Sequence, residues 1–150
     1  MDALDVVSLA VAKEHLVVDF PDKDADITRN IKTAVALVEV VTNHMLYERE
    51  KSYSIPSSGY LEIYDYPFAV ISSSSGLTTT HNVLSSAILA EAGSTVNANV
   101  GYASGDVPSN LIEAVLKIVT YLFENKDVYE ANLPFDVQLL LNPMKRSATF

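Results

Sequence analysis

The sequence predicts an α+β fold, mainly helical: a bundle of about four helices with an antiparallel β-element inserted between the second and third long helices. Three observations predict it. Apolar residues recur at helical spacing near both ends of the chain. That periodicity vanishes over about 53–102, where serine, threonine, glycine and β-branched residues take over. Inside this stretch, turn signals separate short alternating runs. The chain has 150 residues, 49% hydrophobic and 19% charged, enough for one domain with a real core. Its expected parts are a helical core over about 8–47 and 108–142, the β-insertion over about 53–102, and a tail over 143–150.

Ser8 is a good N-cap for a first short helix, with Leu9, Ala12 and Leu16 on one face. The segment from Asp19 to Lys23 contains Pro21 and breaks it. A long second helix follows from about 24 to 47. Asp22, Asp24 and Asp26 crowd its N-terminus, where carboxylates meet the positive end of the helix dipole. Ile27, Ile31, Ala34, Val38, Val41 and Met45 form one stripe; Leu37, Val40 and His44 form a second. Only Glu39 and Asn43 mark a wet face in its second half.

In the β-region, Tyr60 to Tyr64 alternates, Asp65-Tyr66-Pro67 reads as a turn, and Phe68 to Ser72 reads as the partner strand. Val96, Ala98, Val100 and Tyr102 alternate with polar residues in a further strand, and the runs 78–83 and 87–91 are weaker candidates. Such an element could extend as an arm rather than pack. Pro108 suits the first turn of a third helix reaching Glu124. Its apolar residues cover about two thirds of the circumference, against about 100° for an ordinary surface helix. Leu133 to Leu141 reads as a short last helix, stopped by Asn142-Pro143.

Tests for chemistry come out negative. Asp22, Asp24 and Asp26 imitate the start of a calcium loop, but Ile27 and Thr33 stand where glycine and a bidentate glutamate are needed. His15, His44 and His81 have no second histidine at ligand spacing. Gly101 and Gly105 lack the lysine and threonine of a phosphate loop, and Ser57-Ser58-Gly59 is in no nucleophile-elbow frame. We therefore expect no catalytic residue, no metal ligand and no cofactor. No run of about 18 apolar residues predicts a membrane span. Asp2 and Asp5 occupy the positions where a signal peptide would be basic, and cysteine is absent, which suits a reducing cytoplasm. The net charge of −9 argues against a DNA-neutralising surface, and neither long helix offers a basic recognition face. Residues 142–150 carry +2 within that total, leaving −11 on the remainder. This tail reads either as a docking arm for a protein partner or as an ordinary terminus. The wide apolar girdles of the two long helices likewise fit either the core of a monomer or contact with a neighbouring copy.

Four segments, in order, bear on that choice: SLAVAKEHLVVDFPDKDADITRNIKTAVALVEVVTNHM, LEIYDYPFAVISS, GYASGDVPSNLIEAVLKIVTYLFENKD and LPFDVQLLLNPMKR. Together they resemble the head–tail connector (adaptor) family of long-tailed bacteriophages, the ring protein beneath the portal. The likeness covers nearly the whole chain, except 78–94 and the Asn125-Lys126-Asp127 end of the third helix, where an arginine is frequent in the family. It implies a structural, non-enzymatic virion protein, made in the host cytoplasm and located in the neck between capsid and tail. It implies a ring, typically of twelve copies, around DNA in transit that is not bound by sequence. Its expected partners are the portal above and a further neck or tail-completion protein below, with no membrane. Leu37, Val40 and His44, with Ala114, Ile118 and Tyr121 on the outer side of the third helix, are the expected subunit interface. Lys145, Arg146 and Phe150 are the expected portal-docking residues. Another neck component, such as a tail-completion or stopper protein, is the alternative, and a small DNA-packaging protein a more distant one.

Overall fold

The computed structural model describes residues 1–82, 84–125 and 133–146. It opens with a helix that periodicity did not reveal, α1 (Ala3–Val6). Asp2 makes it: its carboxylate accepts from the Leu4 N–H, while its own N–H donates to Asp5. This reciprocal cap satisfies donors that four residues of helix would otherwise leave open. Ser8 caps α2 (Leu9–Leu16) as expected, accepting from the Val11 N–H at 3.3 Å. α2 ends on Val17 in the left-handed conformation, φ 56°. Glycine or asparagine usually takes that position, since a β-branched side chain there costs about 1–2 kcal/mol.

A 3₁₀ turn at Pro21–Lys23 leads into α3 (Asp24–Thr42). This helix stops five residues before the expected Tyr47. Asn43, at φ 58°, ends it. The chain then runs beside a distant loop: Tyr66 N–H donates to the Asn43 carbonyl, and Met45 N–H donates to the Tyr66 carbonyl. Met45, Leu46 and Tyr47, whose apolar character imitated more helix, fill this junction instead.

Six strands follow: β1 (Arg49–Ser54), β2 (Tyr60–Ile63), β3 (Phe68–Ser73), β4 (Leu77–His81), β5 (Ser86–Ala90) and β6 (Thr95–Val100). They form two antiparallel sheets, ordered β1-β6-β3 and β2-β5-β4. β3 therefore does not pair with β2 across Asp65-Tyr66-Pro67, as the alternation suggested. That segment carries the chain from one sheet to the other. The two weak candidate runs are a β4–β5 hairpin, with Thr79 opposite Ile88. Ile55, Ile63, Ile88 and Val96 are buried between the sheets, so the region packs on itself and is not an extended arm.

α4 (Ser109–Glu124) and α5 (Phe135–Leu141) complete the five helices among the described residues, with a 3₁₀ turn at Asn142–Met144. α4 lies against α3, with α1 and α2 also on α3 and α5 on α4. Ile27, Ile31, Val38, Leu111, Val115 and Val119 are fully enclosed there. The helical and sheet layers thus have separate apolar centres, joined through residues 43–47, 65–67 and 101–102. Gly101 is required at that joint. Its φ is 107°, and a Cβ there would overlap the Tyr47 carbonyl.

Candidate functional site

The joint brings together three buried polar residues, Glu39, Thr42 and His44. Glu39, expected on a wet face, is buried because the chain doubles back over it after Thr42. Its carboxylate accepts from the Leu46 N–H and from Arg49 Nη2, each at 2.8 Å. His44, expected in an outward stripe, is buried too. Its Nδ1 lies 2.6 Å from the Tyr102 hydroxyl, its ring stacks on Tyr102, and Tyr66 meets it edge-on. Burial, reinforced by the charge of Arg146, holds the imidazole down to a pKa of about 4, against the weaker opposing effect of a hydrogen bond to the Met144 backbone. His44 is therefore a neutral part of the joint, and the early end of α3 is what removes it from the helical stripe.

Arg146 also belongs to the joint. Its N–H donates to the Thr42 carbonyl, and its own carbonyl accepts from Asn43 Nδ2. Its guanidinium sits 4.0 Å from the Tyr66 ring centre, a cation–π contact, with Nε buried and without a hydrogen-bond partner. Of the expected docking residues, Lys145 is exposed, Arg146 is tied to α3 and Tyr66, and Phe150 lies outside the described residues.

The expected subunit interface is not one surface. Ala114 and Ile118 are 0% and 1% exposed, enclosed by the chain's own helices rather than on an outer side. Tyr121 is half-buried beside a cleft of about 270 Å³ that His15, Lys117 and Asp136 also line. Leu37 is half-buried against the helical core. Val40, at 77% exposure, is the one that faces outward fully. It continues a row of exposed residues on α3: Arg29, Lys32, Thr33 and Ala36. Lys32 and Ala36, with Ala3, Val35 and Tyr47, line a cleft of about 310 Å³ between α3 and the start of the chain.

A second exposed feature was read from sequence only as a helix break. Val17 and Phe20 stand 91% and 69% exposed between α2 and α3. Exposed Asp19 and Asp22 flank Phe20. Lys13 fixes the base of this lip, donating to Asp24 at 2.7 Å and to the Phe20 carbonyl at 3.4 Å. The signal was available: two valines and a phenylalanine in a segment with no periodic partner for them. A third feature is the pair Phe135 and Leu139, one turn apart on α5.

The nearest approach to a nucleophilic arrangement is His81 Nδ1, 2.8 Å from Ser86 Oγ. Ser86 is buried, and the carboxylate nearby in the sheet, Glu62, accepts from Ser85 instead. Asp24 and Asp26, two of the calcium-like carboxylates, bind Lys13 and Arg29. Among the described residues no cluster of three histidine or acidic side chains could hold a metal, and no helix is long and apolar enough to cross a membrane. The arrangement suits contact with other proteins.

No protein-family model and no curated protein matches the chain. Solved structures do. A chain in the virion of a native gene transfer agent (GTA) particle aligns with a TM-score of 0.79 at 16% identity, covering 100% of this chain and 94% of that one. A chain in the neck of an empty GTA particle, computed with C6 symmetry, gives 0.75 at 18% identity, covering 97% and 92%. One in the neck of a native GTA particle, computed with C12 symmetry, gives 0.76 at 16%, covering 97% and 91%. The shared property is the fold, helices and sheets together.

Proposed function

We propose that this chain is a structural subunit of the neck of a phage-like particle. In this reading it is a head–tail connector (adaptor) that forms a ring beneath the portal, joins the DNA-filled capsid to the tail and lines the DNA channel. One observation carries it: the fold matches chains of GTA necks over nearly the full length of both partners. The C6 and C12 symmetry of those necks supports a cyclic assembly, which needs two different faces meeting head to tail. The net charge of −9 supports passage of DNA without adhesion, since acidic walls repel phosphates. The subunit takes no cofactor and catalyses nothing. It is made in the host cytoplasm and resides in the virion neck, with the portal above and a further neck protein below.

The test is the mass of the purified chain in solution, alone and with purified portal, followed by electron microscopy of any complex. A ring, or a ring formed only on the portal, is the expected result. A stable monomer that ignores the portal and turns over a small molecule would overturn the reading. The two three-stranded sheets favour one second reading, another neck component such as a stopper, because β-rich proteins occupy that position. Binding to a preformed ring rather than to the portal would select it. For portal docking by the tail (Lys145, Arg146 and Phe150), removal of 147–150 together with Lys145→Glu is the appropriate variant. Arg146 is spared because it holds the joint.

A further inference from the structure

We propose that the lip at 17–22 of one copy seats on the exposed row of α3 in a second copy, with Phe20 in the cleft beside Ala36 and Asp19 and Asp22 against Arg29 and Lys32. The inference rests on the ring reading and names the surfaces that would close the ring.

Three independent observations meet here. Val17 is a β-branched residue held at φ 56°; the Val17 and Val18 N–H groups close the end of α2 on the Glu14 and Lys13 carbonyls, but the Val17 side chain itself is 91% exposed. Phe20, two residues beyond the half-buried Val18, is likewise uncovered at 69%. The receiving face is complementary in both respects. Arg29 and Lys32 supply two cations, and Ala36 and Val40 supply two exposed apolar residues one turn apart. The cleft of about 310 Å³ opens beside them, floored by Ala3, Val35 and Tyr47. Two carboxylates also line it, but both are engaged: Asp2 accepts from the Leu4 N–H, and Glu39 from Leu46 and Arg49. Arg29 is 71% exposed and pairs with Asp26 at 2.9 Å, a surface ion pair of the kind that contributes little to stability. Lys32 has no carboxylate within ion-pair distance among the described residues.

The contact is between copies rather than within one. Ala36 lies twelve residues into α3, roughly 18 Å along its axis from the lip's own attachment point at 1.5 Å per residue. Lip and cleft are different surfaces, and in the proposed arrangement each copy offers its lip to one neighbour and its cleft to the other. That is a heterologous contact, which gives a ring when its rotation closes.

The chain has no cysteine, so the paired variant Phe20→Cys with Ala36→Cys tests it directly. Under mild oxidation it should give a reducible ladder extending beyond dimers. A product that stops at dimers, or only monomer, overturns the proposal. Asp22→Lys alone and Lys32→Asp alone should each weaken self-association about tenfold, and the combination should restore it; failure to restore overturns the pairing. Val17→Gly is the control against misfolding. It should leave thermal stability equal or higher while weakening assembly, and unchanged assembly overturns the role of the lip. If the wild-type chain forms rings that these variants leave intact, the contact is wrong and the neck reading stands. If the wild type forms no ring with or without portal, both the contact and the connector reading fall.

Discussion

Acidification should destabilise this protein through His44. The imidazole is enclosed by Tyr66, Tyr102, Arg146 and the Met144 backbone, with a pKa of about 4 in the fold against 6.5 ordinarily. Above about pH 6.5 it is neutral in both folded and unfolded chains, and its contribution is fully present. As the pH falls from about 6.5 towards 4, the unfolded chain takes up the proton and the folded one does not, so stability is lost across that window. Below about 4 both forms bind it and the loss stops growing. At about 1.4 kcal/mol per pH unit, the full window is worth about 3 kcal/mol, and about 2.5 kcal/mol is gone by pH 4.5. Urea unfolding near pH 7 and near pH 4.5, for the wild type and for His44→Asn, isolates the effect from general carboxylate titration. The wild type should lose about 2 kcal/mol more than the variant. An imidazole NMR signal titrating near 6.5 in the folded protein, or equal losses in both proteins, would refute the reasoning.

Other outcomes follow from the same geometry. Gly101→Ala should destabilise by roughly 2–4 kcal/mol, since its Cβ meets the Tyr47 carbonyl at a positive φ; thermal denaturation reads it. Glu39→Ala should cost about 2–4 kcal/mol by leaving the Leu46 N–H and Arg49 unpaired, whereas Glu48→Ala, at an exposed position, should cost less than about 0.5 kcal/mol. Val40→Asp should leave unfolding within about 0.5 kcal/mol of wild type yet reduce assembly, while Ile118→Asp should fail to fold, as soluble yield and circular dichroism will report.

What could be read ahead of the structure was local, and what could not was relational. Ser8 marks a helix start because a cap acts within one turn, and its position holds; Pro108, expected in the first turn, lies one residue before α4. The end of α3 is hidden because Met45, Leu46 and Tyr47 continue an apolar pattern, while Met45 N–H donates to the Tyr66 carbonyl, 21 residues away, and Leu46 N–H turns back to Glu39. Strand existence was visible from alternation, but pairing was not, because β3 and β2 look equally suited to each other until β6 and β5 compete for them. Periodicity could not decide between core and interface on α4. Its outer side is closed by α2 and α5, short helices whose docking no single segment encodes. Glu39 misled for a related reason: a carboxylate among valines implies water unless the chain returns to cover it. Of the candidate interface, Val40 is legible in the sequence, whereas the lip is not, because a helix break accounts for Pro21 and gives no sign that Val17 and Phe20 stand exposed.

The packing of α4 on α3 joins two segments separated in the chain by both sheets. The ends of the sheet region are consequently held near one another by the helices, whatever happens between them. Lengthening such a tethered segment is inexpensive, about 0.6 kcal/mol for each doubling of a flexible loop. The β4–β5 hairpin, in the sheet that excludes β1, β3 and β6, is where an insertion should be accommodated without moving either helix. The outline of the chain can therefore change at one hairpin while its helical frame stays in place.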